Sequence, residues 1–278
     1  MGYPRGADCT ARPPRRRCRV LARHRPGRFL RRPAGRILND VILAGAALLA
    51  GAVAAVSGFG IGSLLTPVLL AAYPTAEAVA LLSIPHVVAS AVRLLPLRKE
   101  IDWRAFRDFG MASAGGGLAG ALVQSRLASP LMGVILGVLL LMAGCAELFG
   151  KRLPPPKSKS GRLIGGLLSG FFGGLVGNQG GIRSAALAGY RLSPRALVAT
   201  ATAAAVLVDL ARVPIYLSAR PELFVRGLPH LAIATIGVLA GTFLGVPVLG
   251  RIPERRYHLV LGLLLVLLGA GLLYRSLT

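Results

Sequence analysis

From residue 38 onward the chain alternates apolar runs with short polar breaks, and the runs come in two lengths. The longer ones, 38–56, 77–97, 105–126, 130–149, 162–176, 195–218, 228–250 and 257–275, approach the ~20 residues that a helix needs to cross a bilayer. Two others, 63–73 and 181–190, hold about ten residues, or ~15 Å of helix, half the hydrocarbon core. Each short run follows a glycine-rich break, G58-F-G60-I-G62 or G177-N-Q-G180-G181. The pattern predicts an all-α polytopic membrane protein with broken or re-entrant short segments.

The pattern also occurs twice. LLAGAVAAVSGFGIGSLLTP at 48–67 resembles LLSGFFGGLVGNQGGIRSAA at 167–186, and an offset of 119 aligns Gly51 with Gly170, Gly58 with Gly177 and Gly62 with Gly181. The same offset aligns Ser83 with Thr202 and Arg93 with Arg212. After a slip in register, Gly116 and Gly120 match Gly237 and Gly241, and Gly137 and Gly144 match Gly262 and Gly269. The chain therefore reads as a basic tail (1–36), a first transmembrane repeat (37–150), a linker (151–161) and a second repeat (162–278). If the short runs are re-entrant, each repeat crosses four times, and the tail and the linker lie on one side. If they cross fully, each repeat crosses five times and the halves are inverted. The positive-inside rule favours the first arrangement, with both basic segments cytoplasmic.

Charge sharpens this reading. Only 15% of residues are charged, against about 25% in soluble domains. Residues 1–36 carry twelve arginines and one acid, with no helical apolar period, and this composition predicts a disordered segment. Three readings fit the tail: an orientation signal, a ligand for anionic headgroups, or an artefact of a start codon placed too far upstream. Specific nucleic-acid binding is not expected, because few aromatic residues interleave the arginines. Arg31-Arg32 before an apolar run mimics a twin-arginine signal, but that run has a counterpart in mid-chain, which argues for a structural segment. Cys9, Cys18 and Cys145 have no metal-ligand spacing, and no HExxH, GxSxG or Walker sequence occurs. The expectation is no enzyme and no cofactor or metal.

Polar residues inside the apolar runs are the candidate functional groups. Glycine breaks at matching places in two halves point to a transporter's central site. A helix that starts after such a break presents free N–H groups and a positive dipole end, which attract an anion. The candidate substrate-binding residues are Gly58, Gly60, Gly62, Gly177, Asn178, Gln179, Gly180, Gly181 and Arg183. Arg183, too deep to snorkel comfortably, has the planar fork that suits an oxyanion. A second set forms stripes on two matching helices: Ser83, His86, Ser90 and Arg93 at spacings of 3, 4 and 3, and Thr202, Asp209 and Arg212 on the copy. These are candidates for the pathway or for proton coupling, with His86 or Asp209 as the carrier. Each also has a structural reading. Asp209 and Arg212 at i,i+3 neutralise each other, and Arg93, five residues from Arg98, reaches the interface by snorkelling.

At SGFGIGSLLTP and VGNQGGIRSAAL, each followed by a small-residue helix (ALLSIP; ATATAAA), the chain resembles the TauE/SafE family of bacterial membrane proteins. The short link EIDW at 100–103 is similar to the family's connection after its third hydrophobic segment. The resemblance covers about 37–278, and its usual GxGGG becomes GFGIG in the first half and NQGG followed by Arg183 in the second. It implies an inner-membrane permease for sulfur-containing or related organic anions, such as sulfite or a sulfonate, with the bilayer as its other partner. The residues alone leave open an anion channel and a non-transporting anchoring or assembly protein. They do not give an oligomeric state.

Overall fold

The computed structural model describes residues 33–57, 60–127, 129–150, 154–178, 180–249 and 254–277. Most of the basic tail, together with Gly58 and Gln179, therefore lies outside the described residues. Helices α1 (Pro33–Ser57), α2 (Ile61–Leu69) and α3 (Thr75–Leu97) are followed by a 3-10 turn, Arg98–Glu100. The short α4 (Trp103–Ala105) runs through a π turn, Phe106–Gly110, into α5 (Met111–Gln124), and α6 (Ser129–Phe149) follows. Beyond the linker come α7 (Lys159–Val176), α8 (Gly180–Ala188), α9 (Pro194–Ala219), α10 (Pro221–Arg226), α11 (Leu228–Leu249) and α12 (Glu254–Leu277). No strand occurs among the described residues. The short runs are helices of nine residues each, α2 and α8, about half a bilayer in length.

Local sequence explains most boundaries. Asp102 caps α4 by accepting a hydrogen bond from the Ala105 N–H at 2.7 Å, and Ser158 and Ser193 cap α7 and α9 in the same way. Gly177 ends α7 in the left-handed region at φ 74°, where a side chain would be strained, and its N–H bonds the Gly173 carbonyl. The π turn, the 3-10 turn and α10 are additions to the elements predicted from the apolar pattern.

Four helices, covering Thr75–Glu100, Pro130–Phe149, Pro194–Ala219 and His258–Leu277, are long and apolar enough to cross a membrane by length and composition. The two that include α3 and α9 have 61% and 56% of their apolar window buried, against 33% and 28% for those of α6 and α12. Hence α3 and α9, which pack on each other, form the middle of the bundle, while α6 and α12 pair at its side with much of their surface exposed. The remaining long helices pair crosswise. α1 lies on α11, α7 lies on α5, and these pairs flank α3 and α9 respectively.

Glycines set how closely these pairs approach, the expected device where lipid supplies no hydrophobic drive between helices. A Cβ at Gly170 would fall 1.8 Å from the Ser113 carbonyl oxygen, and one at Gly51 would fall 2.1 Å from that of Val238. Gly116 faces the Leu167 carbonyl and the Phe171 amide, whereas Gly241 faces the Leu48 carbonyl and the Ala52 amide. At the offset of 119, Leu48 and Ala52 align with Leu167 and Phe171. By contact, then, the counterpart of Gly116 is Gly241 rather than Gly237. Gly170→Ala is expected to cost about 1–3 kcal/mol or more, since backbone rather than a flexible side chain blocks the methyl. Gly45→Ala, with open space around it, is expected to be neutral or mildly stabilising. Thermal unfolding of the two variants in detergent checks the contrast; equal midpoints would refute it.

Candidate functional site

The two breaks meet. A Cβ on Gly62, in the first turn of α2, would lie 2.0 Å from the Gly177 carbonyl oxygen, so only glycine permits this approach. Gly60 caps α2 at φ 122°, again a glycine conformation. Across the junction Ser63 Oγ donates to Asn178 Oδ1 at 3.2 Å, and both side chains are buried. The structure thus brings Gly60, Gly62, Gly177 and Asn178 together. Gly180 and Gly181 form the first turn of α8, and the Gly180 carbonyl accepts from Ser184 Oγ at 2.9 Å.

The polar stripes of α3 and α9 face each other beside this junction. His86 Nδ1–H donates to Asp209 Oδ2 at 2.6 Å. Asp209 Oδ1 accepts from Arg212 Nε at 2.8 Å. All three side chains are buried, and Asp209 has no exposure. Arg212 extends from this carboxylate to the Gly173 carbonyl, in the last turn of α7. Arg93 makes the matching contact, Nη1 to the Ala54 carbonyl near the end of α1 at 2.7 Å. A guanidinium on a helix's last carbonyls opposes the negative dipole end, and at Gly173 it shares the carbonyl with the Gly177 N–H. Arg93 is buried, and a hydrogen bond inside the protein takes the place of snorkelling. Ser83 turns back onto the Ala80 carbonyl at 2.6 Å. The hydroxyls of Ser90 and Thr202 are buried without a partner among the described residues.

Arg183 is the exception in this network. It sits one turn into α8 with 3% exposure, and its Nε and Nη2 have no hydrogen-bond partner among the described residues. Asp209, Arg93 and Arg212 all lie within electrostatic reach of it. Among the described residues Asp209 is the only buried carboxylate, so three buried guanidiniums share one acid. Arg183 also stands at the positive end of a helix, which disfavours a cation. A bound anion would relieve both mismatches, and the planar fork would present two parallel donors to it.

The profile of the family described as Sulfite exporter TauE/SafE matches residues 43–272, most of the chain. The chain belongs to the TauE/SafE family. No curated protein and no solved structure matches it significantly. Membership in TauE/SafE makes the protein an integral membrane transporter, and the apolar helices agree. The family match spans both glycine breaks and both polar stripes, and it leaves the basic tail outside.

Two buried groups near this TauE/SafE centre were not singled out from the sequence. Tyr216 Oη donates to the Gly174 carbonyl, next to the carbonyl that Arg212 holds. It lies four residues after Arg212 on one face of α9, so extending the stripe by a turn would have found it. Ser63 carries no such signal, because its role depends on the start of α2 meeting the end of α7.

Proposed function

We propose that this protein is a secondary transporter that exports a small oxyanion, sulfite or an organosulfonate, through the junction of its two helix breaks. The anion lies between Arg183 and the free first-turn amides of α2 and α8, with the Asn178 amide group as a further donor. Arg183 carries this reading: it is buried, two of its N–H groups have no partner among the described residues, and it stands at a positive helix end. Such a charge is held at a cost of several kcal/mol unless something compensates it. An anion that binds there and leaves again compensates it transiently, which is what transport requires.

His86 and Asp209 supply the coupling in this reading. Their hydrogen bond joins α3 to α9, and a proton on the imidazole changes the net charge of the centre by one unit. The two halves, four crossings each, act as repeats around this pair, and the reciprocal packing of α1 on α11 and of α7 on α5 supports that view. The basic tail and the linker lie in the cytoplasm, and the protein resides in the inner membrane of a bacterial cell.

A flux screen in proteoliposomes tests the proposal, with sulfite, thiosulfate, sulfate and small sulfonates each offered with and without a pH gradient. At least one oxyanion should move, faster with the gradient than without. His86→Ala should lose the gradient dependence. Flux that ignores the gradient in the wild type would make the protein a channel, and no flux of any of these anions would overturn the transport reading.

A further inference from the structure

The two arginines that hold the helix ends make equivalent contacts, but they are not equally fixed. At the offset of 119, Arg93 corresponds to Arg212, and their acceptors correspond as well, Ala54 to Gly173. The residue three positions before each arginine differs. Before Arg212 it is Asp209, which accepts from Nε at 2.8 Å and lies 2.7 Å from Nη2. Before Arg93 it is Ser90, too short to span the same distance and fully buried, with its hydroxyl unpartnered among the described residues. Arg93 Nε is likewise buried and unpartnered among the described residues. Arg212 is therefore clamped between a carboxylate and a helix end, while the one bond identified for Arg93 is to the Ala54 carbonyl. Both guanidiniums lie within electrostatic reach of Arg183.

We propose that Arg93 is the moving arginine of the transport cycle: it exchanges the Ala54 carbonyl for the anion, while Arg212 stays on Gly173. The inference rests on the transport site proposed above and assigns unequal tasks to its two sides. Releasing the Ala54 carbonyl frees the end of α1, which leads into the first break, so the first half loosens as the anion is engaged. The second half, held by Asp209, Arg212 and Tyr216, serves as the fixed side. Ser90 is then a positioning residue, whose small uncharged side chain leaves Arg93 free to change partners.

Ser90→Asp tests this, because it places before Arg93 the carboxylate that clamps Arg212. In proteoliposomes with sulfite as the probe, Ser90→Asp should lower flux at least tenfold below Ser90→Asn, which has similar bulk and no charge. Ser90→Asp should also unfold at a higher temperature than Ser90→Asn, a readout that separates a clamp from damage. Equal flux in the two variants, or a lower midpoint for Ser90→Asp, would overturn the assignment. Hydrogen exchange without added anion gives an arm that does not depend on transport. In the wild type the last turn of α1 should exchange faster than the last turn of α7, and Ser90→Asp should narrow the gap. No gap in the wild type sinks the moving arginine even if sulfite is transported. A gap that Ser90→Asp closes, in a protein that moves no oxyanion, leaves the asymmetry standing and removes the transport reading.

Discussion

Arg183→Met is expected to leave a protein that is at least as stable as the wild type and does not transport. Arg183 is buried at 3% exposure, its Nε and Nη2 lack partners among the described residues, and the positive end of α8 is beside it. Replacing a poorly compensated buried charge with an apolar side chain of similar length is often neutral or stabilising by about 1–4 kcal/mol. The same change removes two charge-assisted hydrogen bonds to the anion, worth about 1.5–3 kcal/mol each, so flux should fall by about 100-fold or more. Arg183→Lys retains the charge but not the fork and should also fail to transport. Sulfite flux and thermal unfolding, measured on the same preparations, check both halves of the statement. Flux within threefold of wild type in either variant would take Arg183 out of the site.

Asp209→Asn should act in the opposite direction on stability. Asp209 is the one buried carboxylate among the described residues, and it touches both His86 and Arg212. Asparagine preserves the shape but removes the charge that offsets the three guanidiniums. Breaking a buried pair from one side typically costs about 3–5 kcal/mol, which in a chain of this size lowers the unfolding midpoint by roughly 10 °C. Because the deficit is one of negative charge, millimolar sulfate should recover more of the midpoint in Asp209→Asn than in the wild type. A midpoint that does not change, or that sulfate raises equally in both, would show that the centre does not depend on this carboxylate.

The helical architecture was legible because a bilayer leaves few options: apolar runs of a given length become helices, and ten-residue runs become half-length ones. The glycine breaks were legible because they occur twice in the same place. The polar stripes were legible as faces, since spacings of three and four fix which side chains point together. What they point at was not. Nothing local to Arg93 or Arg212 says that each reaches the end of α1 or of α7, at Ala54 or Gly173. That contact depends on how α1 and α7 dock, a long-range outcome of glycine packing. For the same reason Asp209 reads from the sequence as a neutraliser of Arg212 or as a proton carrier, and in the fold it is bonded to both Arg212 and His86. The glycines at 116 and 237 show the limit of motif matching, because the contacts pair 116 with 241.

The crosswise pairing of α1 with α11 and of α7 with α5 has a consequence for how the protein is made. Helix α1 ends at Ser57, and the surface that fits its glycine begins at Leu228. At typical synthesis rates of about 5–20 residues per second, α1 waits on the order of ten to thirty seconds for its partner. During that interval its Gly51 surface faces lipid or another chain. Insertion and folding are therefore separated in time. A cell that stalls in the second half is left with an inserted first half whose Gly51 face is open.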